Sequence, residues 1–184
     1  AAAPVGDLRG AAYVFFGRDF LGTTARAGGA GNDTLLGSAA GESLVGGRGN
    51  DTLDGAGGAD VQVGGAGNDV LTWDVLDRRF DGGHGNDTLR VLRGGLDLTP
   101  VTRSLVSLET IDLGQGGSST LVLDAARVLS LPGGTAPLRV TGGPGDLVSL
   151  AGAWTNDGVV TPGFVRYSNG AAKVDIGAAI EVIT

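Results

Sequence analysis

Four aspartates recur every 18 residues in the first half of the chain: Asp33, Asp51, Asp69 and Asp87. Each closes the same six-residue stretch, Gly-Gly-x-Gly-Asn-Asp. Carboxylate oxygens are ligands for hard cations, and glycine lets the backbone bend its carbonyl oxygens toward a common point. The pattern therefore predicts the binding of a hard cation. A metal-free glycine-rich solenoid is the alternative, but it would have no use for an acid held at one position.

The elements that must position these aspartates repeat every nine residues. Seven slots begin at residues 28, 37, 46, 55, 64, 73 and 82, and their eighth position is apolar in six of the seven. The residues at this position are Leu35, Leu44, Leu53, Gln62, Leu71, Phe80 and Leu89. A six-residue turn followed by a three-residue strand, with the eighth residue facing inward, explains the pattern. Because one unit cannot bury its own apolar residue, the units must stack into a solenoid.

The composition fits such a stack and argues against several function classes. Glycine accounts for 36 of 184 residues, well above the usual ~7%. No aromatic residue lies between Arg26 and Thr72, so the core there must be thin. The net charge of −7, without basic clusters, argues against nucleic acid as a partner. There is no cysteine for a disulfide, and no apolar run approaches the ~20 residues of a membrane span. The absence of methionine predicts that the chain is part of a longer protein.

The nonapeptide follows the pattern GGxGxDxUx, in which U is apolar, and over residues 28–90 the chain resembles the calcium-binding repeat region of RTX proteins. The resemblance implies a parallel β-roll, in which two nonapeptides make one coil and calcium ions lie between successive turns. The expected fold is all-β: a parallel β-roll (RTX solenoid) with a β-rich C-terminal cap and a short N-terminal capping strand. The expected parts are 1–27 (N-terminal cap or linker strand), 28–92 (roll) and 93–184 (C-terminal cap).

Under this resemblance the turns lie on two edges of the roll. The first edge stacks the turns that begin at residues 28, 46, 64 and 82, all with the intact motif, and their three gaps predict three strong calcium sites. The family's pattern assigns to each ion both position-six aspartates, carbonyls of positions one and three from one turn, and carbonyls of positions two and four from the next. The expected ligands are Gly28, Ala30, Asp33, Gly46, Gly47, Arg48, Gly49, Asp51, Gly64, Gly65, Ala66, Gly67, Asp69, Gly83, Gly85 and Asp87. Asn at position five is expected to serve turn geometry, because Asn tolerates left-handed conformations.

The second edge stacks the turns that begin at residues 37, 55 and 73, with Glu42, Asp60 and Arg78 at position six. A weaker site, with Asp60 as a ligand, is expected between the first two of these turns. Arg78 would place a cation where a ligand belongs, so the next gap is expected to be empty. Without metal, aspartates stacked about 5 Å apart would repel one another, and metal binding would supply folding free energy.

The flanks carry looser patterns. Residues 13–16, Tyr-Val-Phe-Phe, predict a buried strand that caps the open end of the roll. After Leu92, the segments LETIDL, TLVLD, LRVTG and DLVSLAG predict short strands, Asp124 predicts a helix start, and Asn169-Gly170 predicts a two-residue hairpin. This half resembles the terminal region of large bacterial RTX adhesins and surface proteins, in which the extreme C-terminus is a type I export signal. Asp146, in the partial repeat at residues 142–150, is a candidate ligand for a further weak calcium site, although an ordinary turn residue is the simpler interpretation.

No set of catalytic residues accompanies these motifs. The one histidine, His84, occupies the variable third position of a turn, and the sequence has neither a nucleophile elbow nor a zinc-binding helix motif. Trp73 and Trp154 could form a sugar platform, but filling a thin core is the simpler interpretation. The chain is therefore expected not to be an enzyme.

These observations lead to the hypothesis of a calcium-dependent folding module from a large bacterial surface protein or adhesin, located outside the cell. It would stay unfolded where calcium is scarce, pass through type I secretion machinery, and fold in millimolar calcium. Calcium and the secretion machinery are the expected partners, while self-association and a cell-surface ligand are left open. The alternatives are the C-terminal secretion domain of an RTX hydrolase (protease or lipase) and a calcium-dependent, self-assembling surface-layer-like protein.

Overall fold

The computed structural model describes residues 17–18, 24–92, 94–99, 104–114, 118–132 and 136–184. Within them the chain forms nineteen β-strands and one short helix. Successive coils pair in parallel, with antiparallel pairs at the start of one sheet and at the end of another. The predicted all-β fold with a parallel roll is therefore confirmed.

Two sheets build the repeat region, and the chain crosses from one to the other at every turn. Sheet A consists, in spatial order, of β1 (Gly17–Arg18), β2 (Thr24–Ala27), β4 (Glu42–Arg48), β6 (Val61–Ala66), β8 (Arg79–His84) and β11 (Ser104–Val106). Sheet B begins at one edge with β3 (Thr34–Ser38), β5 (Thr52–Ala56), β7 (Val70–Thr72) and β9 (Thr88–Arg90). β1 pairs antiparallel with β2 and provides the capping strand, while residues 13–16 lie outside the described residues.

The core of the roll is a column of side chains that repeats with the coil. In sheet B, Leu35 pairs with Leu53, Leu53 with Leu71, and Leu71 with Leu89. All seven position-eight residues are buried, including the polar Gln62. The predicted inward face is therefore confirmed. Trp73 packs against Phe80, with 5.3 Å between ring centroids, which supports the core-filling interpretation of this tryptophan.

The C-terminal half extends the roll. Sheet B continues through β12 (Thr110–Asp112), β14 (Leu138–Thr141) and β18 (Ala172–Gly177) in parallel, then β17 (Phe164–Asn169) and β16 (Thr155–Thr161) in antiparallel pairing. A third parallel sheet contains β10 (Gly95–Asp97), β13 (Thr120–Asp124), β15 (Leu147–Ala151) and β19 (Glu181–Ile183). Ile111, Val140 and Ile176 prolong the buried column that passes through Leu89. The division into residues 1–27, 28–92 and 93–184 stays a prediction.

Two local predictions in this half are confirmed. Asp124 caps helix α1 (Ala125–Ser130) by accepting the backbone N–H of Arg127 at 2.8 Å. β17 and β18 form the predicted hairpin, but its two turn residues are Gly170 and Ala171, so that Asn169 ends the strand. Gly170 has φ of 60°, and glycine at the first central position is typical of a type II′ turn. The helices of the described residues offer no segment that is both long and apolar enough to cross a membrane.

Candidate calcium sites

The turns of the first edge stack so closely that side chains are excluded at several positions. At position four, Gly67 has φ of 133°, and a Cβ on it would overlap the carbonyl oxygen of Gly49 in the preceding turn. From the second turn of this edge onward, the position-two glycines obey the same restriction, as shown by Gly65 with φ of 116° against the carbonyl oxygen of Gly47. Glycine is thus required here both for its backbone conformation and for the close approach of the next turn.

The position-six aspartates form a hydrogen-bonded ladder through these turns. The backbone N–H of Asp33 donates to Oδ1 of Asp51 at 2.7 Å, that of Asp51 to Asp69 at 2.8 Å, and that of Asp69 to Asp87 at 2.8 Å. Their side chains are buried, with exposures of 9% at Asp33 and at most 1% at the others. The structure therefore places each aspartate against its counterpart in the next turn of the same edge.

The asparagines at position five form a second ladder that runs in the opposite direction. The backbone N–H of Asn50 donates to Oδ1 of Asn32, Asn68 to Asn50, and Asn86 to Asn68, at 2.8–2.9 Å. None of these asparagines has a positive φ. The expectation that Asn supports a left-handed turn was therefore wrong. The Asn-Asp pair recurs at the corner because each side chain accepts a hydrogen bond from a different neighbour. The Asn side chain accepts the backbone N–H of the following turn of the edge, and the Asp side chain accepts that of the preceding turn.

The second carboxylate oxygen of the inner aspartates lacks a hydrogen-bond partner. Oδ2 of Asp51, Asp69 and Asp87 is buried and unpartnered among the described residues. The position that a Cβ would take on Gly64 overlaps Asp69 Oδ2 and lies 2.6 Å from the carbonyl oxygen of Gly82. These two oxygens therefore border the same small space beside Gly64. Both are acceptors, and a buried acceptor without a partner costs ~1–3 kcal/mol or more. A hard cation satisfies several such oxygens at once, and these residues fit one.

Carboxylates alone cannot complete a calcium site on this edge. Among the described residues, no group of three or more His, Asp or Glu side chains could hold a metal ion. Calcium takes about 6–8 oxygen ligands, so backbone carbonyls or water must supply most of them. The glycine turns, which bring carbonyl oxygens inward, are the available source.

The structure distinguishes among the carbonyls predicted as ligands. Those of Gly46 and Gly64 approach Asp33 Oδ2 and Asp51 Oδ2, respectively. Gly82, which the prediction omitted, has the same position relative to Asp69. The carbonyls of Gly47, Gly49, Gly65 and Gly67 face the glycines of the following turn, and that of Ala66 accepts the N–H of Gly49 at 2.8 Å. Coordination by these and by Gly28, Ala30, Arg48, Gly83 and Gly85 stays a prediction.

The first edge also has a fifth acidic member that the period of nine did not predict. The backbone N–H of Asp87 donates to Oε2 of Glu109 at 2.8 Å. The carbonyl oxygen of Ser107, a residue with φ of 53°, occupies the place beside Gly82 that position-one carbonyls take in the repeats. Glu109 follows Asp87 at a longer interval than the repeats use, so the periodicity carried no signal for it. The ladder thus runs from the repeats into the C-terminal cap.

The second edge differs from its prediction at one turn. The backbone N–H of Glu42 donates to Oδ1 of Asp60 at 2.6 Å, and that of Asp60 donates to Oδ1 of Asp77 at 3.1 Å. Asp77, not Arg78, therefore continues the acidic ladder, and Arg78 is exposed. The strand register itself does not slip, because Val61 still pairs with Arg79. The prediction that Arg78 occupies this gap was wrong, because the 73–78 turn brings its acid inward one residue early.

Burial alters the acidity of the aspartates on both edges. Desolvation raises the pKa of Asp51 and of Asp87 to about 6, and it raises the pKa of Asp69 as well. Neighbouring carboxylates raise the pKa of Asp51 and Asp87 further, while backbone N–H donors oppose the shift. Desolvation also raises the pKa of Asp60 and of Asp77. Each edge thus concentrates negative charge that water cannot solvate.

These shifts predict a pH effect on the calcium-free chain. The raised carboxylates bind protons more tightly in the fold than in the unfolded chain, so the fold gains stability as pH falls through about 6 toward the unfolded value near 3.8. In chelator, circular dichroism should therefore show more β-structure at about pH 5 than at about pH 7.5. Asp51→Asn should reduce the difference. A loss of β-structure on acidification would contradict the assignment of buried, unneutralised carboxylates.

Comparison with known families agrees with this geometry. The family of the RTX calcium-binding nonapeptide repeat (four copies) matches residues 27–40 and 36–71. Residues 27–71 are RTX calcium-binding repeats. The geometry of these RTX repeats continues beyond the matched residues to the turn at 82–87. No curated protein and no solved structure matches the chain. RTX repeats bind calcium, so the chain carries a calcium-binding module of the kind typical of type I-secreted proteins.

Proposed function

We propose that this chain is a non-enzymatic, calcium-dependent folding module that supports type I export and extracellular folding of a large bacterial surface protein. The observation that carries the proposal is the set of buried, unpartnered Oδ2 atoms of Asp51, Asp69 and Asp87 on consecutive turns. The calcium-free fold is costly because these charges are removed from water without a counter-ion. Binding free energy then becomes folding free energy, and the chain folds where calcium is abundant.

The location of folding follows from the ligand chemistry. Sites with few carboxylates and many carbonyls are matched to the millimolar calcium of extracellular modules, whose dissociation constants are about 10⁻⁴–10⁻³ M. Such sites remain empty in a cytoplasm with low free calcium. The chain would therefore travel unfolded and fold outside the cell.

The C-terminal half contributes a template for the last turns. β12 pairs in parallel with β9, and Glu109 receives the N–H of the last repeat aspartate, Asp87. An uncapped solenoid would expose both its core and its strand edges. The cap thus gives the final RTX turn a neighbour to fold against.

A secretion experiment tests the proposal. The full chain is fused to the C-terminus of a passenger protein in a bacterium with type I machinery, and the medium contains either calcium or chelator. The passenger is expected in the medium, with a protease-resistant roll only in calcium. Asp69→Asn should give exported but protease-sensitive chain, whereas Asp54→Asn, which removes an equal charge outside the ladders, should behave as wild type. Retention of the passenger in the cell under both conditions would contradict the export role.

A second candidate, calcium-dependent self-assembly, draws support from β16. This strand is the outer strand of sheet B, and its Val159 is 74% exposed. Exposed apolar edge strands are sites for pairing with another chain. Light scattering would show particles larger than a monomer in calcium but not in chelator if this candidate is correct, and a monomer in calcium would exclude it.

A further inference from the structure

Two departures from the repeat pattern meet on the second edge. Gln62 is the one polar residue among the seven position-eight residues, and it is fully buried. Asp77 is the acid that enters the ladder one residue early. Nε2 of Gln62 donates to Oδ2 of Asp77 at 3.0 Å and to the carbonyl oxygen of Thr72 at 2.9 Å. The polar exception in the core column therefore faces the irregular turn.

The negative charges at this place have no counter-ion among the residues that the structure describes. Asp60 and Asp77 are both 0% exposed, and they lie on adjacent turns joined by the 3.1 Å hydrogen bond from Asp60 N to Asp77 Oδ1. None of the ion pairs among the described residues includes either aspartate. Arg79, the nearest cation in the sequence apart from the exposed Arg78, pairs with Asp81 at 2.6 Å. Within the part of the chain that the structure describes, two buried carboxylates thus remain without a positive partner.

Two oxygens in this group are also unsatisfied. Asp60 Oδ2 and Gln62 Oε1 are buried and have no hydrogen-bond partner among the described residues. Both residues are hydrogen-bonded to Asp77, and leaving two oxygens of one group unpartnered is costly at a place in the core that Leu or Phe fills in the other repeats. The arrangement is explained if these oxygens coordinate a cation.

The neighbouring gap on the same edge is different. Both carboxylate oxygens of Glu42 are occupied: Oε2 accepts the N–H of Ser38 and Oε1 accepts its hydroxyl, each at 2.7 Å. Arg26 adds an ion pair to Glu42 at 3.3 Å. The glutamate is therefore neutralised and satisfied by protein groups. The gap between the turns that begin at residues 37 and 55, where a weak site was expected, therefore has less need of a metal ion. The gap between the turns that begin at residues 55 and 73, which was expected to be empty, has the greater need.

We propose that a hard divalent cation, with calcium as the physiological one, binds between the turns 55–60 and 73–77 through Asp60 and Asp77. Gln62 supplies an amide oxygen and fixes the orientation of Asp77. The two carboxylates together match the charge of one such ion. The inference rests on the proposed function only in that the chain binds calcium.

Native mass spectrometry of the full chain in calcium tests this site. Asp77→Asn should bind one ion fewer than wild type, while Asp74→Asn, an acid of the same turn outside the ladder, should bind the wild-type number. An equal count in Asp77→Asn and wild type would overturn the proposal and favour a proton shared by the two carboxylates. A wild-type chain that binds no calcium would instead refute the proposed function.

Terbium luminescence gives an independent test that does not depend on Asp77. Terbium accepts the same oxygen ligands as calcium, and a nearby indole sensitises its emission. Trp73 directly follows Thr72, whose carbonyl contacts Gln62, and Trp154→Phe in every protein removes the other indole. Gln62→Leu, which restores the apolar column, should raise the terbium concentration for half-maximal emission about tenfold, in the range expected for loss of a supporting partner. An unchanged terbium concentration for half-maximal emission would contradict the assignment of Gln62 to the site.

Discussion

Asp69→Asn is expected to prevent calcium-dependent folding at calcium concentrations that saturate the wild-type chain. Asp69 accepts the N–H of Asp51 on one side, and its free Oδ2 faces the carbonyl of Gly82 on the other. One substitution therefore weakens two gaps. The calcium midpoint, followed by circular dichroism, should rise by about 100-fold or more, since loss of even a supporting group at a metal site costs about 10–100-fold.

The choice of asparagine separates metal binding from packing. Asparagine has nearly the size of aspartate and keeps an oxygen for the N–H of Asp51, so the ladder can persist. In chelator the variant should be at least as stable as wild type, because a buried charge has been removed. Asp54→Asn makes the same charge change at a half-buried strand position and should leave the midpoint unchanged. Equal shifts for the two variants would indicate a general charge effect rather than a ligand.

Gly67→Ala is expected to unfold the roll even in saturating calcium. Alanine at φ of 133° costs about 1–3 kcal/mol in backbone strain. Its Cβ would also overlap the carbonyl oxygen of Gly49 and lie 2.9 Å from Oδ1 of Asn50, a group that receives the N–H of Asn68. The adjoining turns would have to separate, which breaks both ladders at once. Urea unfolding in saturating calcium should show the loss of most of the stability.

The first turn supplies a matched control for this substitution. Gly31 occupies the same position four, but it has no positive φ, and no atom lies within 4 Å of a Cβ built on it. Gly31→Ala should therefore be tolerated, and its unfolding midpoint should lie close to that of wild type. If the two alanine variants unfolded together, glycine would be required by its local turn and not by the stacking of coils.

The stacked part of the fold was predictable from the sequence because the repeat in the sequence matches the repeat in the structure. Because two nonapeptides make one coil, equivalent residues of successive coils pair with one another, as Leu53 pairs with Leu71. The burial of position eight and the alignment of the aspartates follow from the same repeat. The helix cap at Asp124 and the β17–β18 hairpin were predictable because each depends on a few adjacent residues.

The departures were not predictable because they depend on contacts between distant turns. Nothing in the period indicates that Asp77 would replace Arg78, since the choice is made by the path of a turn without glycine. Glu109 enters the first edge outside the repeat spacing, beyond a serine in a left-handed conformation. The pairing of β14 with β18 rather than with β15, which follows it in the chain, also required the structure.

The central claim, that calcium supplies the free energy that folds this chain, is tested most directly by far-ultraviolet circular dichroism of the full chain during a calcium titration, with chelator as the reference. The predicted result is a disordered spectrum at neutral pH in chelator and a cooperative change to β-structure at calcium concentrations of about 10⁻⁴–10⁻³ M, reversed by renewed chelation. A β-spectrum of full intensity in excess chelator at neutral pH would contradict it.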